Sequence, residues 1–108
     1  MLVVTRYRVA APDAAAFVAQ ASAALAALAA QPGWRSGRIG RATDDGELFV
    51  LTCEWDAVGA YRRALSAYQV KVEAVPLLSR AIDEVSAYEV LVAQGLGSDA
   101  LAAPSGLA

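Results

Sequence analysis

The feature that most limits the fold of this chain is the order in which its hydrophobic patterns change period. Strand-like alternation covers four segments: 2–9, 34–43, 47–55 and 85–92. Helix-like spacing of apolar residues covers two segments: 13–30 and 56–75. The order is therefore β-α-β-β-α-β. With right-handed crossovers, this order predicts an α+β, ferredoxin-like fold, in which a four-stranded antiparallel sheet carries both helices on one face.

Local signals predict where these elements end. Asp13 follows a proline and is typical of a helix N-cap, and the Gln-Pro-Gly sequence at 31–33 ends that helix. The Asp-Asp-Gly sequence at 44–46 predicts a hairpin turn whose glycine takes a positive φ. The second helix is expected to continue, less regularly, until Pro76.

The length of 108 residues and the mass of 11.2 kDa correspond to a single domain with a modest core. We expect this domain to span 1–92. The remaining tail, 93–108, consists mostly of glycine, alanine and serine with little to pack, and we expect it to lie outside the domain.

The third strand is apolar on both of its faces. One face carries Phe49, Leu51, Cys53 and Trp55, and the other carries Leu48, Val50 and Thr52. A strand with one solvated face would instead alternate cleanly between apolar and polar residues. Two helices can cover only one face of the sheet. A second copy of the chain is therefore expected to cover the other, which predicts a homodimer.

Composition excludes several classes of function. The chain contains no histidine, no asparagine and a single cysteine, Cys53, so a Ser-His-Asp or Cys-His catalytic site is impossible and a metal site is not expected. The net charge of −2 argues against a nucleic-acid or anionic-membrane partner. An apolar run at 14–30 follows two arginines, as in a signal peptide, but Gln20 and Ser22 interrupt it. These features favour a cytoplasmic protein.

Five side chains are candidates for lining a small-molecule pocket between sheet and helices: Thr5, Tyr7, Trp55, Tyr61 and Tyr68. The indole could stack on a flat substrate, and the phenols could orient a substrate hydroxyl. Each residue also has a structural interpretation, because aromatic side chains at strand and helix spacing commonly form core. The phenols of the second helix lie seven residues apart and are expected to share a face.

Two short motifs resemble a known family. Pro-Gly-Trp at 32–34 opens the second strand, and Glu-Trp-Asp at 54–56 closes the third before a helix. These motifs resemble the antibiotic biosynthesis monooxygenase superfamily, over roughly residues 2–91. The resemblance implies the ferredoxin-like fold already predicted, paired through its sheets into a dimeric α+β barrel.

The resemblance also implies a function. It suggests a cofactor-independent monooxygenase that acts on a small aromatic or polyketide-like molecule. The haem-degrading branch is recognised by an Asn, a Trp and a His, and the corresponding positions fall near Thr5, Ala64 and Ala74. None matches, so haem cleavage is disfavoured and we expect no cofactor. The alternative is a non-catalytic dimer of the same fold, either a small-molecule-binding module or a purely structural one.

Overall fold

The structure, a computed structural model, describes residues 1–95. Its four strands form one antiparallel sheet in the order β2-β3-β1-β4. The strands are β1 (Leu2–Arg8), β2 (Trp34–Arg41), β3 (Leu48–Trp55) and β4 (Ala87–Tyr88). The α+β, ferredoxin-like fold predicted from the sequence is confirmed, with the two longest pairings between β3 and its neighbours.

The first helix, α1 (Ala14–Ala29), begins one residue after Asp13, close to the predicted position. A short 3-10 turn, Ala11–Asp13, precedes it, and the Asp13 side chain makes no capping hydrogen bond. The segment Ala11–Ala29 has the length and mean hydropathy (1.3) of a membrane span, as core helices and signal sequences also do. Here it packs on the sheet through buried residues such as Phe17 and Leu28.

The second helical region differs from the prediction of one helix. It consists of three short helices: α2 (Val58–Leu65), α3 (Tyr68–Glu73) and α4 (Val75–Leu78). The chain turns at Ala67, which has extended backbone angles, and again at Ala74. Pro76 lies in the first turn of α4 rather than after a helix, where its missing N–H leaves no helical hydrogen bond unmade. These turns let Val70 and Leu77 both reach the core.

Two further predictions need correction. The fourth strand is only Ala87–Tyr88, not 85–92, because β1 pairs with it at two positions alone. Gly46 does not take a positive φ. The Asp45 carboxylate instead accepts a hydrogen bond from the Glu47 N–H at 3.0 Å and closes the turn. Of the predicted tail, residues 96–108 lie outside the described part of the chain.

The sheet buries one face against the helices, as predicted. The buried side chains belong to β1, to the residue that follows it and to β3. They are Val3, Thr5, Tyr7, Val9, Phe49, Leu51, Cys53 and Trp55. The opposite positions, including Val4, Val50 and Thr52, are only half-buried, and Arg6 and Arg8 on the same face are exposed. In the described chain this open face has no covering layer, although its centre is apolar.

Gly33 connects α1 to β2 and is one of two glycines in the described chain with a positive φ, here +90°. A Cβ at this position would lie 2.4 Å from the Ala60 Cβ. We expect Gly33→Ala to lower the free energy of unfolding by about 1–3 kcal/mol, because it combines backbone strain with a steric clash. Gly46→Ala is the matched control, since nothing lies within 4 Å of its added carbon. Equal melting temperatures for the two variants would contradict this prediction.

Candidate functional site

Thr5 and Tyr7 form a buried hydrogen-bonded pair on β1. Their hydroxyl oxygens are 2.9 Å apart, and the Thr5 hydroxyl donates to the Leu51 carbonyl at 3.3 Å. Because the Thr5 hydroxyl has only one proton and donates it to Leu51, the Tyr7 hydroxyl is the donor in the bond between Tyr7 and Thr5. Register explains the geometry, because Thr5 pairs with Leu51 across the antiparallel ladder. The sequence placed these residues on one face, and the structure shows that they satisfy each other.

Burial determines the protonation state of this pair. It raises the pKa of the Tyr7 phenol, and this effect outweighs the opposite effect of the nearby Arg80 cation. Tyr7 is therefore a neutral hydrogen-bond donor at physiological pH. It is not a general base.

Trp55 lies at the end of β3 in an aromatic cluster. Its ring is fully buried, packs edge-on against Trp34 with centroids 5.4 Å apart, and lies 5.6 Å from the Tyr61 ring. Its indole N–H donates to the Cys53 sulfur at 3.2 Å. Each of these contacts is to the protein core. The observed surroundings match the structural interpretation of Trp55 rather than an open stacking surface.

Tyr61 lies on α2 above this cluster and is half-buried. Burial raises the pKa of its phenol to about 12, and the neighbouring Cys53 and Tyr7 add to the effect. Among residues 1–95, no side chain or backbone group forms a hydrogen bond with the Tyr61 hydroxyl. Among the candidates packed against the sheet, this phenol is the one whose polar atom is available to a ligand.

The pKa of Tyr61 predicts a loss of stability at alkaline pH. The pKa is 10.0 for an unperturbed phenol and about 12 for Tyr61 in the fold. The contribution of the neutral Tyr61 phenol to the free energy of unfolding is therefore complete below pH 10. It is lost as the pH rises from 10 through 12. We expect Tyr61→Phe to flatten this decline when denaturant unfolding is measured across the range, with Tyr68→Phe, which alters an exposed ring, as the matched control. The same decline in Tyr61→Phe as in the natural sequence would contradict the assignment.

Tyr68 does not lie with the other candidates. Its side chain is 79% exposed, because α2 ends at Leu65 and Tyr68 begins α3 after the turn at Ala67. The seven-residue spacing from Tyr61 would place both rings on one face only in a continuous helix. The expectation that Tyr68 closes a pocket beside the sheet is therefore wrong.

The space between sheet and helices is well packed near Tyr7. The ring of Phe17, from α1, lies 5.1 Å from the Tyr7 ring and 5.2 Å from the Phe49 ring. Two open cavities lie along α1, and the smaller one borders the Phe17 ring. The smaller, about 270 Å³, is lined by Val9 and Phe17 among others; the larger, about 450 Å³, lies between α1 and α4.

Sequence reasoning missed two residues that line both cavities, Gln20 on α1 and Arg80 after α4. The Arg80 guanidinium donates through Nη1 to the Gln20 amide oxygen at 2.9 Å. These residues are 60 positions apart in the chain, so no local pattern joins them. The only local signal was a glutamine inside an otherwise uncharged, alanine-rich helix.

Candidate metal ligands do not converge in the part of the chain that the structure describes. Among residues 1–95, no three Asp, Glu or Cys side chains come together in a way that could hold a metal ion. Cys53 is buried, and burial raises the pKa of its thiol, so it is a small core residue.

The fold is shared with several solved structures. SnoaB, a cofactor-independent oxygenase from Streptomyces nogalater, is 28% identical, with a TM-score of 0.65 over 83% of this chain and 94% of its own. A protein from Deinococcus radiodurans assigned to the antibiotic biosynthesis monooxygenases is 20% identical, with a TM-score of 0.68 over 89% of this chain and 98% of its own. A similarly assigned Nitrosomonas europaea protein is 14% identical, with a TM-score of 0.69 over 87% and 92%.

The Deinococcus radiodurans and Nitrosomonas europaea structures are too distant in sequence to establish more than the fold. A comparison with family models is more specific. No curated protein matches the chain. The family model for antibiotic biosynthesis monooxygenase, however, matches residues 1–72. This match runs from β1 through most of α3, so it includes Thr5, Tyr7, Trp55 and Tyr61. Since it covers two thirds of the 108 residues, the chain belongs to the antibiotic biosynthesis monooxygenase family.

Proposed function

We propose that this protein is a cofactor-independent monooxygenase acting on a small aromatic or polyketide-like phenol. The observation that carries this proposal is the 28% identity to a cofactor-independent oxygenase over almost its whole length. Membership of the family supports the same chemistry. The smaller cavity is bordered by the Phe17 ring and by the charged side chains of Arg8, Asp13 and Arg80, which supports an aromatic substrate that carries a polar or ionised group.

The reaction we propose balances without an external reductant. An ionised phenol with a free ring C–H transfers electrons to O₂ and forms a carbon–oxygen bond at that ring carbon. The O–O bond then breaks, the ring carbon loses its proton, and the second oxygen atom leaves as water. The phenol is thereby oxidised to a quinone, so that the substrate itself supplies all the electrons. The protein has to bind the ring, favour its ionised form and exclude bulk water.

The chain's own residues are suited to orientation rather than to proton abstraction. There is no histidine, and the phenols of Tyr7 and Tyr61 have raised pKa values, so both are protonated at neutral pH. Within residues 1–95 the Tyr61 hydroxyl has no hydrogen-bond partner, and Tyr7 with Thr5 forms a neutral polar pair in contact with Phe17. We therefore propose Tyr61 as the ring-facing residue of the site, with Thr5, Tyr7 and Trp55 as the buried residues that support it.

Oxygen uptake tests this proposal. With 1-naphthol or anthrone as the probe, we expect one O₂ consumed for each quinone formed, measured with an oxygen electrode and by quinone absorbance. Tyr61→Phe is expected to lower kcat/KM by about tenfold, because a hydrogen bond to the substrate is lost. Tyr68→Phe, which alters an exposed ring, is the matched control. An unchanged kcat/KM in Tyr61→Phe would remove Tyr61 from the site, and no uptake with any phenol would overturn the enzyme proposal.

A second candidate function has its own supporting observation. Thr5 and Tyr7 satisfy each other's hydrogen bonds, and Trp55 is enclosed by core residues. A site whose polar groups are already paired is suited to holding a ligand passively, so a non-catalytic binding module or structural dimer is the alternative. Binding of 1-naphthol without oxygen uptake would favour this alternative.

Assembly and location complete the proposal. We propose that residues 1–92 form the functional domain and that it works as a cytoplasmic homodimer, without a bound cofactor and without a nucleic-acid or membrane partner. The dimer is supported by the half-buried, apolar centre of the open sheet face at Val4, Val50 and Thr52. Pairing of two such faces would close a barrel between the two sheets.

A further inference from the structure

Gln20 and Arg80 form a wall between the two cavities described above. Both residues line the larger cavity between α1 and α4, and both line the smaller cavity beside Phe17. The contact between them is one side-chain hydrogen bond, from Arg80 Nη1 to Gln20 Oε1 at 2.9 Å. The two cavities therefore border the same side-chain contact, and the smaller one reaches Phe17.

The Arg80 charge has no carboxylate partner in residues 1–95. Three other arginines, Arg6, Arg8 and Arg35, form ion pairs, whereas Arg80 donates only to a neutral amide oxygen. Two carboxylates also line these cavities, Asp13 in the smaller and Glu73 in the larger, but neither pairs with Arg80. An arginine that meets a neutral acceptor retains most of its capacity to bind an anion.

The backbone around Arg80 holds it in position. α4 ends at Leu78, and the Arg80 N–H donates to the Leu77 carbonyl at 2.9 Å. The Ser79 hydroxyl donates to the Pro76 carbonyl at 2.8 Å and closes the same turn. Gln20 lies one helical turn after Phe17 on α1, so the two side chains share a face. Both halves of the wall are thus carried by ordered elements.

We propose that Arg80 is the anion-binding residue of this protein and that its ligand is a planar aromatic phenolate. The phenolate oxygen replaces the Gln20 amide oxygen as acceptor of the Arg80 guanidinium. The ring then lies between the apolar wall of the larger cavity, which includes Ala23 and Leu77, and the edge of Phe17. The inference rests on the proposed oxygenase function and names the ionised form of its substrate.

An anion-binding arginine would compensate for the missing base of this site. A cofactor-independent oxidation of a phenol requires the ionised phenol, and the chain has no histidine that could accept the proton. A fixed cation beside the oxygen favours the phenolate electrostatically, and the proton passes to solvent. Arg80 is exposed, so this route to water is open. The protein then needs no internal base.

Equilibrium binding of 4-nitrophenolate tests the proposal. This probe is planar, anionic under mildly alkaline conditions and absorbs visible light, so its dissociation constant can be obtained by difference absorbance on the full chain. We expect Arg80→Gln to weaken binding by about five- to tenfold, the effect of one lost charge-assisted hydrogen bond at an exposed site. Arg62→Gln, which removes an exposed arginine of α2 outside both cavities, is the matched control and should bind as the natural sequence does.

A second variant keeps the test valid if Arg80→Gln folds poorly. Gln20→Glu leaves Arg80 in place but gives it a carboxylate partner, so it should weaken 4-nitrophenolate binding while retaining or raising the melting temperature. The neutral ether 4-nitroanisole should bind weakly to all forms and respond to neither substitution. Glu73→Gln should strengthen phenolate binding, since it removes a negative charge from the larger cavity.

The outcomes separate this inference from the proposed function. Equal affinity of 4-nitrophenolate for the natural sequence, Arg80→Gln and Gln20→Glu would overturn the assignment of Arg80. If oxygen uptake with 1-naphthol persisted at the same KM in Arg80→Gln, the oxygenase would stand and the Arg80 site would fail. Arg80-dependent binding of 4-nitrophenolate without oxygen uptake would have the opposite meaning: the anion site would stand without the enzyme.

Discussion

Replacement of Trp55 with alanine is expected to lower the free energy of unfolding by about 3–5 kcal/mol, the cost of truncating a fully buried indole. The ring has no exposed surface and contacts both Trp34 and Tyr61, so its removal leaves a cavity that neither neighbour can fill. For a domain of this size we expect a melting temperature at least about 10 °C lower.

Trp55→Phe and Trp34→Ala are the controls for this prediction. Phenylalanine keeps most of the packing and loses the weak hydrogen bond to the Cys53 sulfur, so its effect should be much smaller. Trp34 is half-buried, and its truncation should also cost less than that of Trp55. A Trp55→Ala variant with normal stability but no ligand binding would show that the indole belongs to the binding site instead.

Val4→Lys is expected to convert a dimer into a monomer. Val4 lies at the centre of the open sheet face, opposite Thr52 on β3, where a lysine would bury an unpaired charge in a sheet-to-sheet interface. We expect the dimer dissociation constant to rise by at least about 30-fold, the effect of losing one central interface contact. Size exclusion with light scattering should give about twice 11.2 kDa for the natural sequence and the single-chain mass for the variant.

Val18→Lys is the matched control for the dimer. Val18 is 42% exposed on α1, on the side of the sheet that the helices cover, so a lysine there should leave the dimer intact. A natural sequence that elutes as a monomer would contradict the dimer proposal. It would also leave the apolar centre of the open face without a structural role.

Strand faces could be read from the sequence because they depend on short-range periodicity. Thr5 and Tyr7 are two residues apart on one strand, so any strand places them on the same face. Burial of β3 through Phe49 and Leu51 followed in the same way from its alternation. The partner of each hydroxyl did not follow, because it depends on the register between β1 and β3.

The faces of the second helical region could not be predicted as well from the sequence as the strand faces. The spacing of Tyr61 and Tyr68 was sound for a continuous helix, but the chain turns at Ala67, where no glycine or proline marks a break. Its consequence is large, because one phenol is half-buried over Trp55 and the other is exposed. Local propensity is a weak guide wherever tertiary contacts decide how a helix bends.

The sequence by itself determined the order of the elements, the buried face of the sheet and the absence of an imidazole base, since each depends on composition or on neighbours within a few positions. Only the tertiary structure decided which polar atoms meet. Arg80 contacts Gln20 across 60 positions, and it does so because α4 packs beside α1 after two turns of the chain. Contacts between residues this far apart depend on the path of the whole backbone, and the local spacing of apolar residues does not predict that path.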